Sequence, residues 1–141
     1  MQQFSAGTQC TAIFCYGLAI CDNEWDVRNE EAIDNNSEWA DAMDAIKNIA
    51  FSDEFKKIAK KHKVVVEKWK YEDCDQILLA PKDLILMEDD YEIYDSFEVS
   101  VSEKIDLLKA EKALIALIKE KTDLVVDFNV EPSYFVHLYY A

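Results

Sequence analysis

The stretch Ser100 to Lys121, SVSEKIDLLKAEKALIALIKEK, constrains the fold of this chain more than any other. Leu107, Leu108, Ala110, Leu114, Ile115, Leu117 and Ile118 share one broad arc of a helical wheel, with Lys109, Lys112, Lys119 and Glu120 opposite, the signature of an amphipathic helix with a wide core face. Ser100 followed three residues later by Glu103 fits a capping box. Acids early in the helix (Glu103, Asp106) and lysines late (Lys119, Lys121) suit its dipole. A helix of this kind needs a partner layer, so the rest of the chain is read for what it packs against.

A second amphipathic helix is expected over Trp39 to Ala50. Trp39, Ala42, Met43, Ile46, Ile49 and Ala50 face inward, Asp41, Asp44 and Asn48 face outward, and Asn36 or Ser37 is the cap. Ser52 restarts helical periodicity over Asp53 to Lys61, as the far limb of one kinked helix or as a separate helix. Phe55, Ile58 and Ala59 turn inward there, and Lys56, Lys57, Lys60 and Lys61 turn to water.

The strands come between and around these helices. The apolar run Cys10 to Ile20 reads as a largely buried first strand, with Gly17 marking a bend or bulge. Asp22 to Asn36 is polar, acidic and without period, and reads as a long loop held to the body by Trp25, Val27 and Ile33. Val64 to Tyr71, Gln76 to Ala80 and Leu84 to Met87 are strand candidates, with a turn or sheet edge at Pro81. Tyr91 to Val99 alternates as a one-sided antiparallel strand. Leu124 to Val130 and Tyr134 to Tyr140, separated by Glu131-Pro132-Ser133, outline a C-terminal hairpin. The order predicts a single α+β domain spanning residues 1–141, a mostly antiparallel sheet covered on one face by two or three amphipathic helices.

Composition narrows the function classes. Half of the residues are hydrophobic, which excludes a disordered acidic tail even at a formal net charge of −14. Cys10, Cys15, Cys21 and Cys74 form no C-x-x-C pair and lie mostly in apolar surroundings. They are expected to be buried, reduced thiols that bind no metal, in a cytoplasmic protein. No basic leader precedes the first apolar run, and Thr11 to Ile20 is too short to span a bilayer, so neither a secretion signal nor membrane association is expected.

The sequence carries no G-x-S-x-G, Walker, zincin or dinucleotide-binding motif, and no catalytic residue, cofactor or metal is assigned from it. Cys-His pairs are formally available with His62 or His137, but their spacing supports none. Asp22-x-Glu24-x-Asp26 resembles the opening of a calcium loop, yet Val27 stands where the turn needs Gly and Ile33 where it needs Glu.

What stands out is charge segregation. Acids dominate Asp22 to Asp44 and Glu72 to Glu98, while lysines crowd into Lys56 to Lys70 and the long helix. A solvated acidic surface is the plain explanation. The functional alternative is a face for a cationic partner, drawn from Asp22, Glu24, Trp25, Asp26, Glu30 and Glu31 with Glu88, Asp89, Asp90 and Glu92. Trp25, Trp39, Tyr91 and Tyr94 would supply aromatic anchors. On this reading the chain is a non-enzymatic inhibitor or immunity-type protein, occupying a basic site on a protein such as a nuclease or another nucleic-acid-processing enzyme. Direct nucleic-acid binding is disfavoured by the overall charge. The alternative is a small enzyme or ligand-binding protein whose carboxylates and tyrosines meet in a pocket only the fold can assemble.

Overall fold

The computed structural model describes residues 10–20, 26–28, 36–71, 74–82, 85–87 and 99–140. The chain runs β1 (Cys10–Ile20), β2 (Asp26–Arg28), α1 (Asn36–Ala50), α2 (Asp53–Lys61), β3 (Val64–Tyr71), β4 (Cys74–Pro81), β5 (Ile85–Met87), α3 (Val101–Thr122), β6 (Val125–Asp127) and β7 (Ser133–Tyr140). The result is the expected α+β fold: an antiparallel sheet with three helices packed against it.

β1 is the strand on which the sheet is assembled. Its C-terminal end pairs with β4 (Leu18 opposite Leu79) and its N-terminal part with both β5 (Phe14 opposite Leu86) and β7 (Thr11 opposite Tyr139), while β3 extends the sheet from β4. Between the Leu18–Leu79 and Cys15–Ile85 pairs, three steps along β1 correspond to six along the β4–β5 segment, so the ladder is interrupted after Pro81. A residue without an N–H suits the end of a ladder.

Alternation separates the two faces of the sheet, because successive strand side chains point to opposite sides. Tyr16, Leu18, Ile20, Val64, Val66, Ile77 and Leu79 join the helices in the main core. The intervening Cys15, Val65, Trp69, Leu78 and Ala80 form a second apolar cluster on the other face. This accounts for the continuous hydrophobic run at the C-terminal end of β1, Cys15 to Ile20, which buries side chains on both sides.

Gly17 sits within β1 against the backbone of β4. A Cβ there would run into the Leu79 carbonyl oxygen and stand 3.1 Å from Ala80 Cα. The glycine therefore serves close backbone packing.

The helices follow their sequence signals. In α3, Ser100 Oγ accepts from the Glu103 amide at 3.1 Å and Glu103 Oε1 accepts from the Ser100 amide at 3.1 Å, completing the capping box. Leu107, Ala110, Leu114, Leu117 and Ile118 are buried, as their spacing requires. Leu108 is 43% exposed instead, sharing a stripe with the exposed Val101 and Ile105 at i, i+4, i+7 spacing. At the C-terminus Asp123 adopts φ 62°, and Thr122 Oγ1 donates to the Ile118 carbonyl at 2.6 Å.

α1 and α2 are separate helices. Ser52 divides them: its hydroxyl donates to Ile49 O at 2.6 Å and accepts from the Phe55 amide at 3.2 Å, capping α2. α1 starts at Asn36, and Ala42, Met43, Ile46, Ile49 and Ala50 are buried as predicted. Glu54 at the start of α2 reaches Lys121 at the end of α3, 2.7 Å away.

Two expectations require correction. β6 and β7 do not form a hairpin with each other: β6 pairs with β2, and β7 pairs with β1 along Cys10 to Gly17. Alternation specifies that a segment is a strand but not its partner, and here the partners are distant in sequence. The acidic loop after β1 also contains a strand, β2, whose three residues are too few to show a period. The alternating segment Tyr91 to Glu98 lies outside the described residues.

Candidate functional site

Of the residues expected to form the acidic face, Asp26 is described; Asp22, Glu24, Trp25, Glu30, Glu31, Glu88, Asp89, Asp90 and Glu92 lie outside the described residues. Asp26 opens β2, exposed, with Arg28 Nη2 on its Oδ2 at 3.0 Å. Trp39 is half-buried and packed against the main core.

β2 pairs antiparallel with β6, and both strands alternate exposed, buried, exposed. Val27 and Val126 meet on the buried side. Asp26 and Asp127 are thereby brought opposite one another on the outer side, where directly paired side chains share a face. Two residues on, Asp127 Oδ1 accepts from the Asn129 amide at 3.0 Å, and Asn129 takes φ 52°, a conformation asparagine tolerates. This turn returns the chain towards α3.

Asp127, Asn129, Val130 and Glu131 then line a shallow groove of about 600 Å³ together with Glu111 from the polar side of α3. The groove is acidic in a way that affects its own titration. Glu111, half-buried, holds its proton above its usual carboxylate range, first because burial disfavours the charge and second because Asp127 repels it, with Lys112 partly offsetting both. A positive charge entering the groove would offset that repulsion.

No linear reading could have found Glu111 or Asp127 as members of one site. Glu111 sits among helix lysines, and Asp127 is an isolated acid in an apolar strand. They meet because β6 packs against α3.

Other chemistry among the described residues is sparse. Cys15 is a free, buried thiol pushed up to about 12 by desolvation and, secondarily, by Glu67, which keeps it protonated and a poor nucleophile. His62 ends α2, its backbone N–H bonded to Ala59 O. No group of three or more His, Cys, Asp or Glu among the described residues is arranged to hold a metal ion. No helix among them is long and apolar enough to cross a membrane. No protein-family model matches this chain, and neither curated proteins nor solved structures yield a match.

Proposed function

We propose that this chain is a non-enzymatic binding protein that docks on a basic surface of a protein partner through the acidic groove of Glu111, Asp127 and Glu131, with Asp26 beside it, opposite Asp127 on the neighbouring strand. The observation that carries the proposal is the convergence of these acids from β2, α3, β6 and the turn after it. Bringing like charges together opposes folding, and a partially desolvated carboxylate beside another adds to the cost. A cationic partner offsets that cost on binding and gains electrostatic steering towards the groove.

A partner surface whose lysines and arginines are arranged to neutralise phosphates has the complementary charge. Inhibitors of nucleic-acid enzymes and immunity proteins against nuclease toxins are the general classes this reading favours. Asp22, Glu24, Glu30 and Glu31 flank Asp26 in sequence, and with Glu88, Asp89, Asp90 and Glu92 they contribute to the net negative charge of the chain. Affinity capture from lysate at low and raised salt tests the reading: a basic partner is retained at low salt and released as exposed charges are screened. Failure to retain any basic protein at low salt would contradict it.

A further inference from the structure

The lysines that the acidic groove leaves aside converge elsewhere. Lys60 at the end of α2, Lys63 in the turn before β3 and Lys82 just after β4 line a single cleft of about 510 Å³. These are three cations from three segments of a chain whose net charge is −14. No ion pair among the described residues engages any of them. The volume is within the roughly 300–1,000 Å³ of small-molecule sites.

The cleft is asymmetric. Val64, Val65 and Pro81 give it apolar lining, and the start of α3 contributes Ser100 and Ser102. Two carboxylates also reach it, and they decide what kind of ligand fits. Glu103 is turned back into the capping box, its Oε1 also accepting from Ser100 Oγ at 2.9 Å, so its carboxylate is directed to the helix end while keeping its charge. Asp106, half-buried one turn further along, is an acceptor suited to a hydroxyl.

We infer that this cleft binds a small phosphomonoester of a hydroxylated compound, with the phosphate among Lys60, Lys63 and Lys82 and a ligand hydroxyl donating to Asp106. Lysines favour the dianion by charge-assisted hydrogen bonds, and the start of α3 adds a favourable field without having to supply the site. The net negative charge of the molecule does not forbid this, because acids more than a Debye length of about 8–10 Å away are screened at ordinary ionic strength, and within the cleft the three lysines outnumber Glu103 and Asp106. A long nucleic acid must face the whole acidic surface; a small phosphomonoester need enter only the cleft.

The test is an NMR titration of the full chain with glycerol 3-phosphate, ionic strength being held constant with sodium chloride. Saturable shifts of the Lys63, Val65, Lys82 and Ser102 amides are expected. Lys63→Asn removes one charge at a backbone φ of 60° that suits asparagine, so the fold is kept. Lys82→Glu reverses another. Each should weaken binding by about tenfold or more, since losing one charge-assisted hydrogen bond of about 1.5–3 kcal/mol has that consequence. Lys57→Glu, on α2 but outside the cleft, should leave the affinity unchanged within about twofold, the size of a small screened surface effect. The absence of saturable shifts in the wild-type chain, or equal weakening by Lys57→Glu and Lys63→Asn, would overturn the proposal.

Discussion

Asp26 stands directly opposite Asp127 in the β2–β6 ladder, two acids held on one face of a ribbon whose other face buries Val27 and Val126. Arg28 pairs with Asp26, so the repulsion is partly relieved on the β2 side. Asp127→Asn should raise stability by about 0.2–1 kcal/mol, the range for a single cross-strand pair. Asparagine keeps the side-chain oxygen that accepts from the Asn129 amide, so the turn survives. Urea denaturation of the two proteins at neutral pH decides the matter, and a less stable variant would mean that the charge contributes to the fold.

Glu111 gives a pH-dependent counterpart. Its folded-state pKa is raised above the usual carboxylate value of 4.5 by burial and by Asp127, so the folded chain binds its proton more tightly than the unfolded chain. This contribution to stability is fully present below the unfolded pKa and is lost as pH rises through the folded one. Glu111→Gln should therefore be more stable than wild type at neutral pH. The difference should shrink as pH falls towards 4.5. Denaturation midpoints followed against pH for both proteins provide the check; a difference that does not vary over this interval would contradict the assignment.

Gly17→Ala tests the contact that sets the spacing of β1 and β4. The added methyl meets the Leu79 carbonyl and the Ala80 backbone, neither of which can rotate away. Overpacking of this kind costs about 1–3 kcal/mol, and a backbone obstacle favours the upper part of that range. A lowered melting temperature with the same circular-dichroism spectrum is the expected result.

The elements legible in the sequence are those whose determinants are local. Ser100 and Glu103 are three residues apart and specify the start of α3, and Ser52 separates α1 from α2 by a hydrogen bond reaching only three residues ahead. Leu108 shows the limit of the helical wheel: it borders the apolar arc, yet no neighbouring layer covers it enough to bury it. Strand partners were not legible, because the alternation in Val125 to Asp127 is equally compatible with β7 and with β2. The acidic groove was hidden for the same reason. Grouping acids by runs along the chain reached Asp26 but missed Glu111 and Asp127, which the packing of β6 on α3 brings together.

The central claim is that the groove, rather than net charge, recognises the partner. Its most direct test compares two double variants in salt-dependent capture: Asp127→Lys with Glu131→Lys in the groove, and Asp41→Lys with Asp44→Lys on the exposed side of α1. Both change the net charge equally, and all four positions are exposed. Loss of the basic partner from the groove variant, with retention by the α1 variant and folded spectra for both, is the predicted result. Equal retention or equal loss in the two variants would contradict it and leave the acidic surface as a solvated one.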